Sequence, residues 1–161
     1  MRWWRSARTR RAILFGYVPF IVAAHLAWEI AQLRLYTIWT EGRAGEIAFA
    51  VVHCTGGDLL IAVSALCLAL IITRSGDLAD WNLAAVGALA ITIGLGYTVV
   101  SERINTALGN WTYASSMPVV PVLDVGLAPF AQWIAVPFAA FWFLSRVRRG
   151  WRRSELGRSE E

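Results

Sequence analysis

Residues 13–33 read ILFGYVPFIVAAHLAWEIAQL, and that run decides the fold. Its length suits the roughly 20 residues of helix that cross a bilayer core. The apolar residues are continuous rather than striped, so lipid is the surrounding expected for it. Yet the run carries His25 and Glu29, four residues apart and on one helix face, with Gln32 a turn further along the same stripe. Ionisable groups at membrane depth are costly unless paired or hydrated, which makes them functional candidates by default.

Three more runs share this character, at about 47–73, 81–101 and 125–144. The 161 residues are 57% hydrophobic with nine tryptophans and a mean hydropathy of +0.51, too apolar for a soluble domain of this length. Four spans nearly exhaust the chain. The expected fold class is therefore all-α, a four-transmembrane-helix bundle over residues 13–144, with a basic N-terminus at 1–12. A basic and then acidic tail, expected to be disordered, follows at 145–161.

The formal charge of +4 is informative only once located. Arg2, Arg5, Arg8, Arg10 and Arg11 precede the first run, and Arg146, Arg148, Arg149, Arg152, Arg153 and Arg158 follow the last; there is no lysine. Arginines beside both ends put both termini in the cytoplasm, which needs an even number of spans. A bacterial-type inner membrane is the expected location. These clusters set topology, and no nucleic-acid partner is expected. Cys54 and Cys67 fall in one helix roughly 20 Å apart at 1.5 Å per residue, too far for a disulfide. The first run is longer than a signal-peptide core and holds His25 and Glu29, so it reads as a retained span.

Along the chain, Trp3, Trp4 and Trp81 suit the inner interface, and Tyr36 and Trp39 the outer one. Pro19 is placed to kink the first helix. The second holds His53-Cys54-Thr55-Gly56-Gly57-Asp58. In a regular helix His53 and Asp58 diverge by about 140°, so they share a partner only if the glycine pair unwinds the turn. Gly87, Gly94 and Gly96 thin the third helix for packing. Its outer end carries Tyr97, Thr98, Ser101, Glu102 and Asn105, with Arg103 beside Glu102 as a pairing candidate. Residues 109–121, with Trp111 and Tyr113, read as an ordered cap on the outer mouth. Asp124 is expected near the N-cap of the fourth helix, which then carries Gln132, Trp133 and Pro137.

These positions gather His25, Glu29, His53, Glu102, Asn105, Asp124 and Gln132 in the outer half of the membrane, with Asp58 just below. The expectation is one buried polar pocket. Metal binding by His25, Glu29, His53 and either Asp58 or Glu102 lacks any HExxH or CxxC spacing, and neither a metal nor a cofactor is expected. Proton conduction would need a path to the inner face, but below Asp58 the second helix offers only Ser64 and Thr73. Acid–base chemistry on a lipid suits the residue types best. Burial favours the neutral form of a carboxylic acid, which can then donate a proton, and aromatic faces stabilise a cation.

His25-x-x-x-Glu29, Tyr97 followed by Glu102, and Trp133-x-x-x-Pro137 resemble the emopamil-binding-protein-like (EXPERA) superfamily of four-helix membrane proteins, which includes sterol isomerases. The resemblance implies that His25, Glu29, Glu102 and Trp133 form an intramembrane site. The chain departs from that pattern in helix two, where His53, Asp58 and a double glycine replace an acidic motif, and in the spacing of Gln132. Its cap resembles segments of membrane carotenoid cyclases. The function expected is a cofactor-independent isomerase or cyclase acting on a double bond of a sterol-like or isoprenoid lipid through a carbocation-like intermediate. Glu29 or Glu102 would donate the proton, His25 or His53 would accept one, and Asp58 would complete the acid–base set. Tyr97 and Trp133 would wall the cation, and Asn105, Trp111, Tyr113 and Gln132 would contact the substrate. The alternative is a non-catalytic accessory subunit or lipid-binding module. The partners expected are a hydrophobic small-molecule or lipid substrate and the surrounding membrane lipids, with a homodimer as one permitted assembly.

Overall fold

Helix one spans Ala7–Leu35, helix two Ala44–Ile72, helix three Leu83–Ala107 and helix four begins at Leu127; all four are long and apolar enough to cross a membrane. The computed structural model describes residues 2–158, with side chains for 2–150. The protein is an all-α four-helix bundle and a multi-pass membrane protein. Its outward faces are hydrocarbon: Phe15, Phe49, Leu60 and Phe138 are all largely exposed, an arrangement suited to lipid rather than water.

Several helix ends differ from the expected boundaries. Helix one starts at Ala7, inside the basic stretch, because the Ser6 hydroxyl accepts the Thr9 N–H at 3.1 Å as an N-cap. Just before Pro19 the helix widens. Residues Ile13–Tyr17 form a π-helical turn in which Val18 N–H bonds to Ile13 O, making room where a proline ring would otherwise press on the carbonyl four residues earlier. Helix two runs unbroken through Gly56 and Gly57, so the condition for His53 and Asp58 to share a partner is not met. A Cβ on either glycine, or on Gly96, would meet nothing within 4 Å. Gly87 and Gly94 do meet close neighbours, the Phe141 and Trp133 rings.

Helix three is capped by Asn82, whose Oδ1 accepts from Ala85 N–H at 3.1 Å. It continues past residue 101 to Ala107 and stops near Gly109, which takes φ +71°. Before helix four the chain makes a small antiparallel hairpin, β1 (Val119–Val120) and β2 (Val125–Gly126). Asp124 belongs to the turn of that hairpin, at φ +54° with its N–H on Val120 O, and is not the N-cap of helix four. Helix four extends to Arg158, so the basic residues after 144 prolong the helix; the end of the acidic tail, expected to be disordered, lies outside the described residues.

The connection between helices two and three is bolted to both ends of the chain. Ser6 Oγ donates to Asp77 Oδ2 at 2.6 Å, and Leu78 N–H donates to Thr9 Oγ1 at 2.9 Å. Trp81, which is buried, gives its indole N–H to Gly76 O and accepts from Arg148 at its own carbonyl. This fixes the interior in two halves. Toward the termini, Tyr17, Ile21, Leu66, Leu70, Phe141 and Leu144 make a continuous apolar core. Toward the opposite end, the buried residues turn polar.

Candidate functional site

The polar half is organised by Gln132. Helix four carries this residue inward, and its side-chain nitrogen meets three acceptors from two other helices. His25 Nδ1 lies at 2.9 Å, Glu29 Oε1 at 3.0 Å and Asp58 Oδ2 at 2.9 Å. An amide nitrogen has two hydrogens, so one of the three needs a different partner. His25 Nδ1 is 3.1 Å from Asp58 Oδ2. A proton on Nδ1 resolves the count: His25 donates to Asp58, while Gln132 donates to Glu29 and Asp58. His25 and Gln132 are 0% and 2% exposed, so neither can substitute water for these bonds. The remaining ring nitrogen, His25 Nε2, is buried without a hydrogen-bond partner.

Two more side chains set this cluster. Gln32 donates to Glu29 Oε1 at 2.8 Å and accepts from the Trp28 indole at 3.2 Å. Trp133 packs its ring against His25, with centroids 5.2 Å apart. Gly94 on helix three lies against the same indole, and a Cβ there would stand only 2.3 Å from two of its carbons. Only glycine lets helix three come close enough to hold Trp133 there.

A second node lies on helix three. Glu102 accepts a short hydrogen bond from the Tyr113 hydroxyl, which in turn accepts from Gly126 N–H at 3.0 Å. The neighbouring backbone pairs with the end of helix one, through Thr37 N–H on Thr112 O and Ala114 N–H on Leu35 O. Tyr113 also sits edge-on to Tyr36 at 5.5 Å. Residues 109–121 thus form an ordered cap tied to helix one, to the hairpin and to a buried carboxylate. Burial, followed by the bond to Glu102, pushes the Tyr113 hydroxyl above its ordinary range, so it remains a donor.

Between these nodes lies a cavity of about 1000 Å³. Every helix contributes to its wall: Glu29 from helix one, His53 and Asp58 from helix two, Glu102 from helix three and Gln132 and Trp133 from helix four. Tyr97, Asn105 and Trp111 also border it, and Glu41 and Glu46 are at its edge. No arginine is among its lining residues. His25 and Tyr113 stand behind the wall and act on it through Asp58, Gln132 and Glu102.

The expected residues therefore separate by position. His25, Glu29, Asp58, Gln132 and Trp133 form one connected group. Glu102 pairs with Tyr113, not with Arg103, because its carboxylate turns inward while Arg103 is exposed. His53 borders the cavity but is exposed and stacked on Phe49, with centroids 5.4 Å apart. The regular helix keeps it on a different face from Asp58. Asn105 bonds locally to Ser101 O and Asn110, finishing helix three. Tyr97 reaches only the rim and is 56% exposed. Gln32, Tyr36 and Thr98 are wall residues that were not among the expected site residues. Gln32 was already marked by its stripe with His25 and Glu29, whereas nothing in the sequence distinguished Tyr36 from an interfacial tyrosine. Among the described residues, no group of three or more His, Cys, Asp or Glu side chains is placed to hold a metal ion.

No protein-family model, curated protein or solved structure matches the chain.

Proposed function

We propose that the protein is an intramembrane acid–base isomerase or cyclase acting on a double bond of a sterol-like or isoprenoid lipid, as the resemblance to the EXPERA superfamily implies. The observation that carries this reading is the cavity itself: about 1000 Å³, lined by the five carboxyl residues Glu29, Glu41, Glu46, Asp58 and Glu102 and by aromatic rings, with no arginine among them. That volume is at the upper end for small-molecule sites. In the reaction, Glu29 or Glu102 in its acid form gives a proton to one alkene carbon, leaving a cation on its neighbour. Trp133 faces that charge from the wall and Tyr97 from the rim, and the carboxylates offset it. Loss of a proton from an adjacent carbon to a base restores an alkene in a new place, with no net oxidation. His53 borders the cavity and takes that proton. His25, held behind Asp58 and Gln132, sets their geometry.

The arginines at both ends support a topology with both termini in the cytoplasm of a bacterial-type cell. The cavity then opens toward the outer leaflet. The test is to incubate purified protein with a panel of sterol-like and isoprenoid lipids in deuterated water. Deuterium at a carbon adjacent to the alkene is the expected result, and its absence across the panel would refute the reading.

A second reading, a non-catalytic accessory subunit or lipid-binding module, is favoured by one feature. Gln132 ties helices one, two and four together, as an interhelical fastener would. The double variant Glu29→Gln with Glu102→Gln separates the two readings. An enzyme keeps its fold and loses exchange, whereas a fastener loses assembly.

A further inference from the structure

A second recess, of about 530 Å³, lies at the opposite end of the bundle from the polar cavity. It is formed where the chain before helix one crosses the end of helix two. Three of its lining residues are Arg2, Arg5 and Arg74, and none is acidic. Among the described residues, no carboxylate lies within ion-pair distance of any of the three. Asp77, nearby in sequence, is taken by Ser6 and Arg8. Helix two ends without an acidic side chain, and at that end Arg74 N–H bonds to Ile71 O and Ser75 N–H to Leu70 O. Three guanidinium groups around one opening repel each other unless an anion joins them.

The remaining wall is apolar and points to the kind of anion. Trp3, Trp4, Leu70 and Ile71 complete the recess. Arg2 lies over the Trp4 ring at 5.3 Å, which fixes its guanidinium while leaving its N–H groups free for an acceptor. From Ile71 an exposed apolar track continues along the outside of helix two through Leu68 and Ile72. These three residues are spaced at three and four positions and share one face. A recess with cationic donors at its mouth and a hydrocarbon track leaving it fits a phosphodiester with acyl chains, in the leaflet at the terminal end of the bundle. Arginine suits a phosphate because its planar fork donates two parallel hydrogen bonds.

We propose that Arg2, Arg5 and Arg74 form a headgroup site for an anionic phospholipid, separate from the polar cavity and independent of the function proposed for it. The test uses the full chain purified in neutral detergent and exchanged with an equimolar mixture of phosphatidylglycerol and phosphatidylcholine, with the retained lipid counted by native mass spectrometry. The wild type is expected to retain phosphatidylglycerol preferentially. The Arg5→Gln and Arg74→Gln pair is expected to lower that preference about fivefold for each arginine removed. The control pair Arg11→Gln and Arg149→Gln removes equal charge from the same end but outside the recess, and should leave the preference within about twofold, because charges that do not touch the headgroup act on it only through screened solvent. Should the first pair fail to fold, Arg2→Gln is read in its place, since the Arg2 side chain is not used in any hydrogen bond holding the fold. Equal losses in the two pairs would overturn the proposal in favour of diffuse attraction. So would a wild type without preference, or displacement of the lipid by millimolar inorganic phosphate, which would mark a site for free phosphate.

Discussion

Replacing Gly94 with alanine tests the placement of Trp133, on which the His25 cluster leans. The new Cβ would lie 2.3 Å from two indole carbons, where ordinary contact begins at 3.4 Å. The ring or the helix must therefore yield by about 1 Å, the difference between those distances. The indole cannot flex internally and is 2% exposed. It also packs against the His25 ring, with centroids 5.2 Å apart, so displacement is transmitted to the bond from His25 to Asp58. Alanine gains about 1 kcal/mol over glycine in helix propensity, while overpacking costs about 1–3 kcal/mol and straining a buried polar network adds to that. The net expectation is destabilisation of about 1–2 kcal/mol. Gly96→Ala, two residues away with nothing within 4 Å of its Cβ, keeps only the propensity gain of about 0.5–1 kcal/mol. Both variants are compared by unfolding in detergent micelles titrated with sodium dodecyl sulfate. Equal stability of the two would refute the close approach of helix three to Trp133.

Three further outcomes follow from the same contacts. Tyr113→Phe removes the hydroxyl that joins Glu102 to Gly126 N–H, costing about 1–3 kcal/mol; hydrogen exchange should rise in the cap while the termini-side core stays protected. Val122→Asn relieves a β-branched residue held at φ +72° on a 97% exposed hairpin tip, and should raise stability by about 1 kcal/mol in the same denaturation assay. Partial burial works to raise the pKa of Asp77, but the hydrogen bonds from Ser6 and Ala79 and the Arg8 charge outweigh it and hold the carboxyl below its ordinary range. Its contribution is therefore full above the unfolded value near 4 and is lost as pH falls through the lower folded value. Acid should loosen the contact between residues 6–9 and 77 in the wild type, and Asp77→Asn should remove that dependence.

The four spans were legible because unbroken hydrocarbon has one explanation at this length, and the pooling of polar residues at one end followed from counting depth along antiparallel helices. The helix ends were less legible. Ser6 and Asn82 cap helices one and three through local hydrogen bonds, and these extend or delay a helix regardless of hydropathy. The hairpin before helix four was hidden because its strands have two residues each, and its turn places Val122 and Asp124, not glycine, at positive φ. Within the site, helical phase decided what depth could not. Thr98 is buried in the cavity wall, whereas its neighbour Tyr97 reaches only the rim; Asp58 faces Gln132, so His53 does not. The partnership of Glu102 with Tyr113 depends on a cap whose path is set by backbone pairing to residues 35–37, a contact that no local sequence pattern encodes.

The central claim is that side chains from separate spans share one network, and a double-mutant cycle measures that directly. Asp58→Asn on helix two and Gln132→Leu on helix four are made singly and together, and unfolding free energies are compared in the same micelles. Because Asp58 Oδ2 and the Gln132 nitrogen are 2.9 Å apart, the account predicts a coupling of about 0.5–3 kcal/mol. Free energies that simply add, to within about 0.5 kcal/mol, would contradict it.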